Sequence, residues 1–458
     1  MEYSFLSLLP PFVVIILALI TKDVIVSLFI GIFLGHAILK EFDLISAFIS
    51  MFDSIISLFN EGWITKTIIF ALLAGSIIKL IVDSGGVDGF VNYLTKKNIK
   101  SKKDSLLLAY IIGVVIFIES SITALVAGTV AKPLTDKYGV SREKLAYVCD
   151  STSAPICSLI PFNAWGALLI GLITAQINTG VITGNATQIL ISSIPLNFYS
   201  IVTIIIVLYI IISGKDFGAM KNAELRAKPI IDEKLIEHKK GNMLYMVLPI
   251  LVLVLMMPIG LYYSGDGDIL QGSGSTSVFY SVIITIFFSY FLYIFTGAMN
   301  HKKFFESFYE GINSMVPIVL ILIFAFAIGV VIKELDTGNY IASVASGAIN
   351  PIFIPMIIFI ISGIIAFSTG TSWGTFSIMM PIAITFAVSV DINITLAVAA
   401  VISGGIFGDH CSPISDTTII SSMAAGCNHI DHVNTQLPYA LLSGFIAAIL
   451  FLIAGTLL

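Results

Sequence analysis

Long apolar runs separated by short polar and charged stretches dominate the chain. Many have the length a helix needs, about 20 residues, to cross about 30 Å of hydrocarbon. They lie at 5–21, 24–40, 64–82, 145–180, 187–212, 243–263, 277–297, 315–333, 394–426 and 437–457. Two further apolar segments, 104–134 and 352–390, are interrupted near their middles, by Glu119-Ser120-Ser121-Ile122-Thr123 and by Ser368-Thr369-Gly370-Thr371-Ser372-Trp373-Gly374. Such small and polar residues favour a turn over helix, so each segment is expected to form a hairpin. The stretches 41–60 and 298–314 carry Phe with Ser or Gly among charges, which predicts interfacial helices following the second span of each half.

The pattern occurs twice. SSITALVAGTVAKP from Ser120 and STGTSWGTFSIMMP from Ser368 share the opening Ser, a Thr in fourth place and the closing Pro. GSIIKLIVDSG from Gly75 matches GVVIKELDTG from Gly329, and DSTSAP from Asp150 matches DHCSP from Asp409 more loosely. The offsets of 248, 254 and 259 place two halves on either side of the charged loop 213–242. The domains expected are a first repeat, 1–212, a charged cytoplasmic linker, 213–242, and a second repeat, 243–458. In this alignment Glu119 faces Phe367, which makes Glu119 an asymmetric feature of the first hairpin.

Composition sharpens the class. The chain is 57% hydrophobic and 11% charged, a balance that excludes a soluble enzyme, a nucleic-acid binder and a disordered scaffold. The net charge of -5 says less than where Lys and Arg fall. If 104–134 and 352–390 are re-entrant and the other ten segments cross, 19 of the 23 basic residues collect on one face, the cytoplasmic one by the positive-inside rule. Both termini are then extracytoplasmic. Five crossings per half, an odd number, turn the second half upside down. The expected fold is an all-α polytopic membrane protein with two inverted-topology repeats, about ten spans, two re-entrant hairpins and discontinuous helices, the pattern of a secondary transporter. Glu2 and the lack of a basic leading segment argue against a cleaved signal peptide. Cys149, Cys157, Cys411 and Cys427 sit in or beside apolar runs and read as small core residues.

Unwound backbone at membrane depth survives only against protein or a water-filled cavity, so the breaks are where chemistry is expected. DSTSAPICSLIPFN, Asp150 to Asn163, interrupts the span 145–180, and GGIFGDHCSPISDTT, Gly404 to Thr418, interrupts 394–426. Pro155, Pro161 and Pro413 free carbonyls, while Ser, Thr and Asp add oxygens, the ligands that a hard cation such as Na+ takes. Asp150, Ser151, Thr152 and Ser153, with Asp409, Ser412 and Asp416, are the candidate cation ligands. An intramembrane aspartate needs a neutralising proton or cation, and competition between the two at one site is the simplest route to exchange. Glu119, Ser120, Ser121 and Thr123, with Thr369, Thr371 and Ser372, stand at the hairpin tips. Asn163 and Trp165 are suited to orient an organic substrate, Trp165 equally to fill the core, and His410 to sense pH or relay a proton.

Other readings exist for several of these residues. Asp150 also fits an interfacial helix cap, and Asp416 fits the N-cap of a second half-helix. Lys79 and Lys333 match across the repeats and read as snorkelling to the interface. Cys427-Asn428-His429-Ile430-Asp431-His432 has zinc-like spacing without a convincing fourth ligand. Gly370-Thr371-Ser372-Trp373-Gly374 fits G-x-S-x-G, with His410 and Asp409 as hydrolase partners on paper, but both flanks are helical. A channel built on the same breaks is the other alternative.

FGDHCSPISDTTIISSMAAGCNHIDHVNTQLPYAL, Phe407 to Leu441, with STGTSWGTFSIMMPI, Ser368 to Ile382, resembles the C-terminal half of the NhaC family of bacterial Na+/H+ antiporters. REKLAYVCDSTSAP, Arg142 to Pro155, is similar to the matching first-half segment. The resemblance implies a scaffold and a mobile transport domain bearing two hairpins, an elevator-like motion, frequent dimers and a place in the bacterial inner membrane. It implies Na+ as coupling ion, H+ as counter-ion, no cofactor and no enzymatic activity. Members also exchange malate, lactate or amino acids, and Glu119-Ser120-Ser121 departs from the tip expected of a plain antiporter. A Na+/H+ antiporter is therefore the first expectation, and a Na+- or H+-coupled carrier of a small carboxylate or amino acid the alternative.

Overall fold

The computed structural model describes residues 5–21, 23–95, 100–117, 119–161, 163–229, 241–267, 272–337, 340 and 350–458. Among these residues the regular structure is helical throughout. Nine helices are long and apolar enough to cross a membrane, and eleven if each of two bent pairs is taken as one span. The helices of the first half are α1 (Leu9–Thr21), α2 (Val24–Leu39), α3 (Leu44–Leu58), α4 (Gly62–Asp83), α5 (Gly86–Thr95), α6 (Lys102–Val115), α7 (Ser120–Tyr138), α8 (Arg142–Ser151), α9 (Ala154–Leu159), α10 (Ala164–Asn178), α11 (Ala186–Ser193) and α12 (Phe198–Ser213). A short α13 (Gly218–Arg226) follows. The second half holds α14 (Leu244–Ser264), α15 (Gly274–Phe295), α16 (His301–Glu334), α17 (Ile354–Thr369), α18 (Ser372–Ser389), α19 (Ile394–Cys411), α20 (Asp416–Ala425) and α21 (His429–Leu457).

The order of elements in the first half recurs in the second. A helical pair (α1–α2, α14–α15) leads, through an arm in the first half alone, to a long span (α4, α16), a hairpin (α6–α7, α17–α18), a broken helix (α8–α10, α19–α20) and a closing span (α12, α21). Both hairpins and both broken helices fall where the apolar runs predict them. A separate helix within 41–60 is also as expected. Asp43 caps α3 by accepting from the Ile45 and Ser46 amides, and α3 turns 119° from α2. Its Ile45, Phe48, Ile49, Phe52 and Ile56 are exposed, as suits a helix lying in the interface.

Three expectations need correction. Residues 298–314 form no separate interfacial helix. Residues 301–314 are the first turns of α16, which runs 34 residues without a break, about 51 Å at 1.5 Å per residue. The first half breaks at Phe59-Asn60-Glu61, whereas the second has no turn before Pro317, and a proline within a span is tolerated. The run 187–212 is two helices, because Pro195 ends α11 and Asn197 starts α12. Lys79 does not snorkel free: its ammonium meets Asp83 at 3.2 Å and Glu310 at 3.0 Å where α4 crosses α16.

Small residues set how closely the helices approach. A methyl group added at Gly75 would strike the Gly311 carbonyl on α16, and one at Gly311 would strike the Gly75 carbonyl. On α19, Gly404-x-x-x-Gly408 lies on α17 so closely that a methyl at Gly404 would meet the Phe359 carbonyl, and one at Gly408 the Gly363 carbonyl. This small-residue contact is the packing that apolar helices use in lipid. Glycine to alanine in a helix normally stabilises by about 1 kcal/mol. At Gly408 the sign is expected to reverse, with a loss of about 1–3 kcal/mol from overpacking against rigid backbone. Denaturation of purified Gly408→Ala in micelles tests this, and a gain in stability would refute the close contact.

Candidate functional site

The first break lies where α8 runs out at Ser151. Thr152 and Ser153 hold the turn by donating backbone N–H groups to Val148 and Asp150 carbonyls, and Pro155, which cannot donate, opens α9. The second break follows α19. Ser412 precedes Pro413 and is extended, as a residue before proline prefers, with its N–H on the Asp409 carbonyl. Each aspartate thus occupies the last turn of the helix that precedes its break. Packing of α20 and α21 against α8 brings the two breaks together across the repeats.

Asp150 is 1% exposed and Asp409 3%. One oxygen of Asp150, Oδ2, accepts from Thr418 Oγ1 at 3.0 Å and from Gln436 Nε2 at 2.7 Å. Asp409 Oδ2 accepts from Ser372 Oγ at the start of α18. The other oxygen of each, Oδ1, has no hydrogen-bond partner among the described residues. His410 bridges the two regions: Nε2 is 2.9 Å from Ser151 Oγ and 4.0 Å from Asp150 Oδ2, and Nδ1 is 2.7 Å from the Tyr199 hydroxyl. Gln436 is fully engaged. Its Nε2 also donates to the His410 carbonyl, so its Oε1 accepts from His432 Nε2 at 2.8 Å, which fixes the proton of His432 on that nitrogen. His432 Nδ1 lies 2.8 Å from Ser422 Oγ, and His429 spans Ser422 and the Pro413 carbonyl. These histidine nitrogens therefore knit α20 to α21 and are taken up by hydroxyl, amide and carbonyl groups.

The hairpin tips are built by caps. Glu119 accepts from the Ile122 amide and from Ser120 Oγ, and Thr371 accepts from the Gly374 amide. Glu119 and Thr371 thus hold the same N-cap position in their hairpins, each accepting from the amide three residues on, whereas the sequence alignment sets Glu119 against Phe367. Thr123 donates to the Ile116 and Glu119 carbonyls, Thr369 to Ile365, Thr152 to Val148, Ser153 to Asp150 and Ser412 to Phe367. Ser121 is half-buried beside them. Ser415, not Asp416, caps α20 by accepting from the Thr418 amide. Asp416 follows as the first helical residue, exposed, with its carboxylate on the Thr417 amide and within electrostatic reach of Glu119. Acidic charge from Asp416 and Glu119 thus stands near the enclosed aspartates.

Asn163 caps α10 and donates to the carbonyls of Phe117 and Cys157, pinning the first hairpin tip to the first break. Trp165 is 1% exposed and stacks edge-on against Trp373 and Phe376, while its indole N–H has no partner among the described residues. Ser372 bonds to Asp409 and the His410 nitrogens go to Tyr199 and Ser151, so the Ser372–His410 pair that the G-x-S-x-G reading needs does not form. Sequence reading passed over Gln436, Thr418 and Tyr199, and took His432 only as a metal candidate. His432 and Gln436 stand four residues apart on one face of α21, the spacing that could have revealed them.

The model of the Na+/H+ antiporter family matches residues 156–456. An uncharacterized protein of Haemophilus influenzae is 36% identical over 98% of this chain and 90% of its own length. The malate-2H(+)/Na(+)-lactate antiporter of Bacillus subtilis is 28% identical over 38% of this chain and 37% of its own. Among solved structures, the YdaH transporter of Alcanivorax borkumensis, described as having an unusual topology, superposes with a TM-score of 0.62 at 14% identity over 89% of this chain and 88% of that one. That last likeness is one of fold. The family match and the near full-length relative together make this multi-pass membrane protein a member of the Na+/H+ antiporter family.

Proposed function

We propose that the protein exchanges Na+ for H+ across the bacterial inner membrane by alternating access, with an elevator-like movement of the domain that carries the hairpins. The observation that carries this reading is the pair of enclosed aspartates, each with one carboxylate oxygen left without a hydrogen-bond partner. A buried carboxylate oxygen in that state calls for a cation or a proton. Na+ takes oxygen from Asp150 with Ser151, Thr152 and Ser153, and from Asp409 with Ser412. Asp416 and Glu119, being more accessible, draw cations to the entrance, and Ser120, Ser121, Thr123, Thr369, Thr371 and Ser372 close it. His410 links the aspartates as proton relay. Repeats 1–212 and 243–458 are taken to run in opposite senses about the linker 213–242, with both termini extracytoplasmic, and the working unit is a homodimer.

The test is reconstitution into liposomes that hold a pH-sensitive dye, with protein-free and lithium controls. Proton movement that saturates with Na+ supports the reading. Its absence from folded protein would overturn exchange of these two ions alone. A second reading, coupled transport of a small carboxylate or amino acid, is favoured by the unpartnered indole N–H of Trp165, a donor suited to a carboxylate, and agrees with the name of the Bacillus subtilis relative.

Gln436 orients Asp150, so Gln436→Leu leaves that carboxylate with one donor and His432 without an acceptor. The half-saturating Na+ concentration is expected to rise about tenfold, matching the roughly 1.5 kcal/mol of one charge-assisted hydrogen bond. Sodium titration of the dye signal checks it. An unchanged titration would remove Gln436 from the site.

A further inference from the structure

We propose that the cavity between the start of α6, the end of α12 and α13 holds the phosphate headgroup of an acidic phospholipid. This open cavity, about 720 Å3, is lined by Lys102, Lys103, Lys144, Lys215 and Lys221. Among the described residues only two carboxylates, Asp216 and Glu224, share it, and both are already paired: Asp216 with Lys144 at 2.7 Å and Glu224 with Lys102 at 3.6 Å. Lys103, Lys215 and Lys221 form no ion pair among the described residues. Three ammonium groups therefore line one open cavity with no carboxylate paired to them among the described residues, a surplus that calls for an anion.

The cavity is built rather than draped. Lys144 and Asp216 side chains are 4% and 7% exposed, and Glu224 accepts from the Ser141 amide at 2.6 Å, at the cap of α8. Buried Met220 and Ala223 seat α13 on the bundle, and Tyr439 of α21 receives the Phe217 amide. Residues 214–226, on the first part of the charged loop, are thus fastened beneath the helices and supply one wall.

A lipid, rather than a free anion, suits what adjoins the lysines. On α12, Ile205, Tyr209 and Ile212 lie at i, i+4 and i+7 and are 59%, 59% and 53% exposed, an apolar stripe that leads along the span to the cavity, with Ile212 in its lining. Tyr209 stands where an interfacial aromatic is favoured, and Leu225 adds exposed apolar surface at the rim. Acyl chains follow the stripe while the phosphate meets the lysines, the arrangement by which basic pockets between spans hold acidic headgroups. Such a lipid would touch the first hairpin, α12 and the fastened loop together.

The test titrates the purified full chain in neutral detergent with dioleoyl phosphatidylglycerol, with dioleoyl phosphatidylcholine and inorganic phosphate as parallel arms. Retained lipid is read by native mass spectrometry, and saturation by the shift in melting temperature. Phosphatidylglycerol is expected to be retained, and its apparent affinity to fall about a hundredfold in the triple variant K103Q/K215Q/K221Q, with each lysine contributing several-fold near an anionic headgroup. The lipid-free melting temperature and elution of the variant check its fold, and the single variant K215Q, expected to lose several-fold, serves if the triple one fails. Equal retention of phosphatidylcholine, or unchanged phosphatidylglycerol affinity in a folded variant, would overturn the proposal. So would inorganic phosphate that binds as tightly as the lipid, since it would make this a soluble-anion site.

Discussion

Asp409→Asn is expected to reduce sodium-driven proton movement to the protein-free background while the protein stays folded, and Asp150→Asn to do the same. Asparagine keeps the shape and can still accept from Ser372 or Thr418. What it loses is the charge that attracts Na+ and the oxygen that takes up a proton. Removing one partner of a buried charge interaction costs about 2–5 kcal/mol, so Na+ binding weakens by at least about thirtyfold even before proton coupling is lost. Stability should hold or rise, because a buried carboxylate without a cation is costly in itself. Dye flux in liposomes gives the activity, and melting in detergent the fold. If both variants kept saturable, sodium-dependent proton movement with unchanged half-saturation, the two-aspartate site would be wrong.

The second large effect concerns the fastened loop. Lys144 and Asp216 are paired at 2.7 Å with almost no exposure, and Tyr439 reaches the same carboxylate at 3.4 Å. Lys144→Met alone leaves Asp216 buried without its cation, and Asp216→Leu strands Lys144. Each single change is expected to cost about 3–5 kcal/mol, whereas the double variant should recover most of it, since an apolar pair of similar volume replaces a buried ion pair at little loss. Chemical denaturation of the four proteins in micelles measures the cycle. Single variants as stable as the parent would show that the loop carries no strain-bearing contact with the bundle. The same four proteins separate structure from transport, because neither residue touches the aspartate pair.

Much of the fold was legible because hydrocarbon imposes its demands locally. A helix has to satisfy its own backbone and cover the bilayer with apolar residues, so run length and polar interruptions reveal spans and breaks. The breaks at Ser412-Pro413 and around Thr152-Pro155 follow from proline chemistry alone, and the tips before Ser120 and Ser372 from capping and small residues. The arm at 298–314 was not legible, because continuation into α16 depends on the lack of a terminating turn, and composition there matches that of a separate helix. Alignment of letters follows Ser and Pro and sets Glu119 against Phe367, whereas the N-caps of α7 and α18 are Glu119 and Thr371.

Membrane class, the main spans and the helix breaks were determined by the sequence itself, through hydropathy and proline, and the cost of a carboxylate in hydrocarbon singled out the two aspartates as candidates. Which groups meet those aspartates was decided by tertiary structure alone. Asp150 is 268 residues from Thr418 and 286 from Gln436, and Ser151 is 259 from His410. No local rule links positions so far apart in the chain. Only the packing of α20 and α21 against α8 brings their donors to one carboxylate, because a buried polar group takes the partner that packing supplies.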